Sequence, residues 1–288
     1  MIHIGWQEAI QLDDSLLALT SFFSKPPKTV QLLSGGLTNR CWRVHGQNGT
    51  SYVWRPCSEH SRAFSVSRDQ ERAVLEFVTQ STVSSFVSPA PVFNCEQGLL
   101  VEWLEGETLH QGIDEASLIR LATDIHNLPI DKLPVAPFSY VARLDHYWFQ
   151  IASQYKNSEF EAIYRYWRAL PEMHSAQVAL CHFDLGSYNL IQTDSAIGVI
   201  DWEYAAVSDP RIDLAMMVDL TNADLDAFVY HYCMQRNIEQ VEEWQQDVEK
   251  WIPRVRVLAM LWFLLGYKLW GDAQYLDSAN QIKHTICS

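Results

Sequence analysis

The hydrophobic period of this 288-residue chain changes near Glu102–Gly106. Before that point apolar residues fall in short runs separated by turn residues. After it they recur at helical spacing. A chain of this length holds one large domain or two modest lobes. The change of period predicts two lobes in an α+β arrangement: a small β-rich lobe over 1–103 and a larger, mostly helical lobe over 104–288.

The first lobe reads element by element. Residues 7–24 form an amphipathic helix that Pro26-Pro27 ends. Val30 and Leu32, then Cys41, Trp42 and Val44, flank a Ser-Gly-Gly turn. Gln47-Asn48-Gly49 is a second turn, and Tyr52–Arg55 a third strand. Ser67-Arg-Asp-Gln70 is a capping box opening a helix to about Gln80. Val92-Phe93 and Leu99–Trp103 are two more strands around the turn at Glu96–Gly98. Helical patterns then occupy 115–127, 144–170, 211–220, 223–236, 239–250 and 254–270. Only Leu180–Asp201 interrupts them with short strands and loops.

Composition removes several function classes. With 35 acidic and 21 basic residues the formal charge is −14, which disfavours nucleic acid or an anionic membrane surface as partner. The six cysteines make no CxxC pair and fit no zinc spacing. Their scatter suits a reduced, cytoplasmic protein. The N-terminal stretch lacks the basic and apolar regions of a secretory signal. The longest apolar run, Val257–Leu265, is too short to span a bilayer.

Residues 182–189 read HFDLGSYN, and residues 200–204 read IDWEY. Asp184 and Asn189 lie five apart between two strand-like apolar runs, and Asp201 follows a third such run, Ile197–Ile200. Phosphoryl transfer needs a carboxylate to orient the attacking hydroxyl and accept its proton. It also needs oxygen ligands for the Mg²⁺ that accompanies a nucleotide. Two turns rich in Asp and Asn are the bland alternative, and the flanking strands speak against it. The stretch Ser34-Gly35-Gly36-Leu37-Thr38-Asn39 lacks the P-loop pattern. Its paired glycines still let backbone approach phosphate oxygens, although a plain hairpin turn reads the same alone. Arg55 ends the third strand, where a guanidinium can fork two phosphate oxygens. Glu71 on the next helix is placed to pair with it.

Taken together, LSGGLTN, VWRP, HFDLGSYN, IDWEY and DPRIDLA resemble the choline kinase and thiamine kinase branch of the aminoglycoside-phosphotransferase-like kinases. The final stretch from Trp251 resembles bacterial thiamine kinases most. The resemblance spans roughly residues 30 to 280 and implies a protein-kinase-like fold that uses ATP and Mg²⁺. It assigns Asp184 as catalytic base and Asn189 and Asp201 as metal ligands. Arg55, held by Glu71, would bind nucleotide phosphates. Ser34, Gly35, Gly36, Thr38 and Asn39 would cover them. The backbone of Glu102, Trp103 and Leu104 would meet adenine. His182 becomes a scaffold for the loop, Asp213 its brace, and Glu203 either supports the metal or is a satisfied polar residue. Only a dozen residues separate Asp201 from Asp213, which leaves no room for an activation loop and no platform for a protein substrate. The expected acceptor is a small cationic alcohol: thiamine first, then choline or ethanolamine, then an aminoglycoside. Aromatic faces suit such a cation, and Trp262, Tyr267, Trp270, Tyr147, Trp148, Tyr164 and Trp167 are available, most of them as core. A catalytically inactive nucleotide-binding protein on the same fold is the remaining alternative.

Overall fold

A computed structural model describes residues 3–33, 41–81, 85–173 and 177–287. Contacts divide the chain into two compact units. One comprises Met1–Arg62, Val66–Thr108 and Leu190–Glu203. The other comprises Ala63–Ser65, Leu109–Asn189 and Tyr204–Ser288.

The first unit runs β1 (His3–Ile4), α1 (Trp6–Leu12), a 3₁₀ segment (Asp14–Ser21), β2 (Thr29–Leu32), β3 (Trp42–His45), β4 (Ser51–Pro56), α2 (Glu59–Ala63), α3 (Arg68–Thr79), β5 (Phe86–Val87), β6 (Pro91–Cys95), β7 (Gly98–Glu102) and β8 (Glu107–Thr108). Six strands form an antiparallel sheet ordered β1-β2-β3-β4-β7-β6. Strand alternation puts Trp42, Val44 and Trp54 on one face. There they meet Trp6, Ala9, Leu16 and Leu19 in a closed apolar core. Arg55, one residue past Trp54, points to the opposite face.

The single helix expected over 7–24 is instead two pieces. Asp13 interrupts it, because its carboxylate accepts from Ser15 N at 3.1 Å and from Trp42 Nε1 at 2.8 Å, tying the break to the sheet. Ser67 caps the helix as expected, its Oγ accepting from Gln70 N at 3.3 Å. Its helix buries Val74, Leu75 and Val78.

The second unit contains α4 (Glu115–His126), α5 (Tyr140–Gln150), α6 (Ser158–Ala169) and β9 (Ala179–Cys181). Next in the chain come β10 (Leu190–Gln192) and β11 (Ile197–Val199), which belong to the first unit. There β10 pairs antiparallel with β8, and β11 pairs parallel with β5. The second unit resumes with β12 (Ala206–Ser208), α7 (Pro210–Thr221), α8 (Leu225–Arg236), α9 (Val241–Trp270) and α10 (Ala273–Cys287), and β12 pairs with β9.

Two helical expectations change here. The stretch 144–170 is split, because Asn157 starts α6 afresh by accepting from Phe160 N at 2.9 Å. The stretches 239–250 and 254–270 are one helix with Pro253 inside it. An interior proline costs about 3 kcal/mol. Trp244, Val248, Trp251, Val255 and Leu258 bury one continuous face on both sides of Pro253 and outweigh that cost. Among the described residues, no helix is long and apolar enough to cross a membrane.

Candidate active site

The first unit gathers a dense set of charges. Arg55 leaves β4 on the face away from the Trp54 core. Its Nε lies 2.7 Å from Glu71 Oε1 on α3. Its Nη2 lies 3.0 Å from Glu203 Oε2 and also contacts Asp201 Oδ1. Arg68 opens α3, so Glu71 three residues on shares its helix face. Arg68 Nη1 donates to Glu71 Oε2 at 2.5 Å and to Glu203 Oε2 at 3.1 Å. Burial alone would lower the Arg55 pKa, but the carboxylates of Asp201, Glu71 and Glu203 more than reverse this and hold it well above its ordinary value. Burial and then the Asp201 carboxylate push Glu203 upward, against the lowering by Arg68 and Arg55.

Asp201 follows β11 with a left-handed φ of 64°. A non-glycine residue there carries backbone strain of about 1 kcal/mol or more. In that conformation the side chain meets Arg55.

The second unit carries the other motif. β9 delivers the chain into a loop whose start is clamped by Asp213 of α7. Asp213 Oδ2 accepts from His182 N and Oδ1 from Phe183 N, each at 2.7 Å. Phe183 is also left-handed, with φ 64°. The loop then closes on itself. Asn189 Nδ2 donates to Asp184 O and to Asp184 Oδ2, both at 2.9 Å, and Tyr188 OH donates to Asp184 Oδ1. With its nitrogen on Asp184, the Asn189 carboxamide has its oxygen as the remaining atom, a donor that suits a hard cation.

Behind the loop, His126 Nε2 lies 3.1 Å from Asp213 Oδ2 and His126 Nδ1 lies 2.7 Å from Tyr232 OH. Burial works to raise the Asp213 pKa, but the hydrogen bond and charge of His126, with those of His182, hold it below the ordinary carboxylate value. His126, Cys181 and Asp213 place ligand-type atoms within 4.8 Å of one another. Burial holds the Cys181 thiol well above its ordinary pKa, and hydrogen bonds occupy Asp213, so the group works as packed polar interior.

The remaining sequence candidates divide. Glu102 N donates to Ala90 O at 2.9 Å and Trp103 N to Ser51 O at 3.2 Å. Both amides are thus spent inside the first unit, and Leu104 packs beside Gly198. Arg43 lies over the Trp103 ring at 3.8 Å. Ser34, Gly35, Gly36, Thr38 and Asn39 lie outside the described residues. Of the aromatic candidates, Tyr147, Trp148 and Tyr164 are core. Trp262 and Trp270 are half-buried, and their rings lie 5.0 and 5.3 Å from that of Phe64.

Sequence reasoning missed Arg68, His126 and Tyr188. Arg68 follows the N-cap and could have been weighed through its i,i+3 spacing to Glu71. His126 carries no motif, and only the fold brings it to Asp213.

A family model described as "Phosphotransferase enzyme family" matches residues 29–246. A thiamine kinase of Escherichia coli O157:H7 is 24% identical over 256 residues, covering 87% of this chain and 88% of that protein. The thiamine kinase of Shigella dysenteriae serotype 1 aligns with the same identity and coverage. Among solved structures, a choline kinase of Streptococcus pneumoniae superposes with a TM-score of 0.72 at 17% identity, covering 96% of this chain and 99% of that one. A Plasmodium vivax ethanolamine kinase gives 0.74 at 14% identity, covering 98% and 89%. These likenesses show a kinase-like fold, with an antiparallel sheet in the N-terminal part and helices in the C-terminal part.

Proposed function

Since the chain belongs to the phosphotransferase enzyme family, we propose that it is an ATP- and Mg²⁺-dependent kinase that phosphorylates the primary hydroxyl of thiamine. Phosphoryl transfer to an alcohol of a small molecule is the family-level activity. The acceptor, the nucleotide and the residue roles are our reading. The observation that carries the roles is the Asp184–Asn189 loop, where a carboxylate is fixed by Asn189 and Tyr188 on backbone clamped by Asp213.

Asp184 orients the acceptor hydroxyl and takes its proton as the oxygen attacks the γ-phosphorus. The new O–P bond forms, the bond to the β-phosphate oxygen breaks, and ADP leaves with that electron pair. Arg55 holds phosphate oxygens. Adenine meets the backbone of Glu102–Leu104 through groups other than the two spent amides. The oxygen donors Asn189 and Asp201 suit a hard divalent cation. Mg²⁺ bound there would offset phosphate charge. Trp262 and Trp270, half-buried in the second unit, are the candidates to face a cationic ring.

Thiamine is preferred because the aligned relatives that span most of the chain bear that name. A panel of thiamine, choline, ethanolamine and an aminoglycoside, each with MgATP, tests it. Transfer to thiamine at the highest kcat/KM supports the reading. Transfer to choline at a higher kcat/KM replaces the acceptor, and no transfer to any of the four removes it.

A further inference from the structure

Four of the five charges in this cluster form a closed ring, of which the roles above use Arg55 but not Arg68. Glu71 bridges the two guanidiniums, with Oε1 toward Arg55 and Oε2 toward Arg68. Glu203 also bridges them, its Oε2 lying 3.0 Å from Arg55 and 3.1 Å from Arg68. The ring therefore alternates cation and anion and has no net charge. Its side chains are 1 to 11% exposed, whereas Asp201, which contacts Arg55, is 28% exposed. Arg68 is also tied to the strand of Arg55, with its Nε donating to Pro56 O at 3.4 Å.

We propose that Arg68 is a positioning residue for nucleotide binding: it balances Glu71 and Glu203 so that Arg55 can exchange Asp201 for phosphate oxygens. The proposal rests on the reading that Arg55 binds nucleotide phosphates. Without Arg68, one guanidinium would face two buried carboxylates as well as Asp201. Buried charges demand compensation, so both glutamates would compete for Arg55, and an approaching phosphate would meet a net negative site. With Arg68 present, both glutamates have a second cation. Asp201, the exposed member, then becomes the exchangeable partner.

The test uses the full chain as wild type, Arg68→Met, Arg68→Lys and the double variant Arg68→Met/Glu203→Gln. MgATP binding is followed by calorimetry. KM for ATP and for the acceptor that wild type turns over fastest are measured alongside. In Arg68→Met, Kd and KM for ATP should rise about tenfold or more, in line with truncating one partner of a buried charge pair, while the acceptor KM stays within twofold. Arg68→Lys should recover part of the loss, since it keeps the charge and loses the fork. The double variant should recover most of it, because one guanidinium and one glutamate again balance. If Arg68→Met does not fold, the double variant decides: near-wild-type MgATP affinity supports the proposal, and affinity weakened tenfold or more overturns it. A folded Arg68→Met with wild-type MgATP affinity, or with both KM values changed alike and no rescue in the double variant, overturns the role. A wild type that binds no MgATP overturns the functional reading and this role together. Wild-type binding with an unchanged Arg68→Met overturns this role alone.

Discussion

The two charged regions are assembled in opposite ways. In the first unit the partners come from β4, α3 and the chain after β11, and Arg55 meets Glu203 across 148 positions of sequence. In the second, Asp184 is held by Tyr188 and Asn189, four and five residues away, and one distant side chain, Asp213, clamps the loop. The first region depends on charge balance among buried groups. The second depends on hydrogen-bond geometry at a few atoms. Substitutions should therefore fail differently in the two places.

Asp184→Asn carries the largest expected effect. The amide keeps the shape but cannot take a proton, so turnover should fall by about two to four orders of magnitude. MgATP affinity should stay within a few-fold, because in the proposed mechanism the carboxylate addresses the acceptor. Steady-state kinetics with calorimetry check this. A variant that loses MgATP affinity and keeps its turnover would break the division of labour between loop and charge ring.

Asp213→Asn comes next and is read as stability. Both Asp213 oxygens accept loop N–H groups. An asparagine supplies one oxygen and turns an NH₂ toward the other donor. A cost of about 3 kcal/mol is expected for breaking a buried charged network of this kind. The contribution also has a pH signature. The folded pKa of Asp213 lies below its ordinary value. Its stabilisation is therefore complete above about pH 4 and is lost as the pH falls through the folded pKa. Urea titrations of both proteins should show a gap that is wide at pH 7 and narrows in acid. A gap that widens in acid would contradict this assignment.

How much of this was legible in sequence follows the same division. The Asp184–Asn189 loop is local, so the spacing of the two residues, taken with the flanking strand-like runs and Asp201, pointed to it, although not to the hydrogen bonds between them. The Arg55–Glu71 pair was within reach because a strand end and a helix start leave few arrangements. Arg68 offered only its i,i+3 spacing to Glu71 as a signal, and an arginine after an N-cap ordinarily reads as a solvated first-turn residue. The return of Leu190–Glu203 to the first unit could not be read either, because short apolar runs do not name their partners. The unbroken α9 shows the opposite failure: Pro253 reads as a stop, and only tertiary burial on both sides overrides it.

Tyr188→Phe sharpens the account of the loop. The hydroxyl donates to Asp184 and the residue is 47% exposed, so water replaces much of what is lost. About 1 kcal/mol is at stake, a factor of ten or less in kcat/KM. A loss of a hundredfold or more would give Tyr188 a role beyond that one hydrogen bond.

The smallest expected effect isolates burial from charge. Arg165 pairs with Glu161 at 2.5 Å across one turn of α6, and the two side chains are 74% and 43% exposed. That distance matches the Arg68–Glu71 pair, and both pairs lie within one helix, so contact length alone does not distinguish them. Solvent does. Around Arg165 water and salt screen the pair, and removing the arginine leaves a glutamate that hydrates fully. Arg165→Met should cost no more than about 0.5 kcal/mol of stability and leave KM for ATP unchanged. Arg68→Met leaves two carboxylates in a dry ring. Thermal melts of the two variants side by side, at low and at physiological salt, make the measurement. A larger loss at Arg165 than at Arg68 would mean that pairing geometry, rather than burial, sets the strength of these contacts, and the contrast between ring and surface would fall with it.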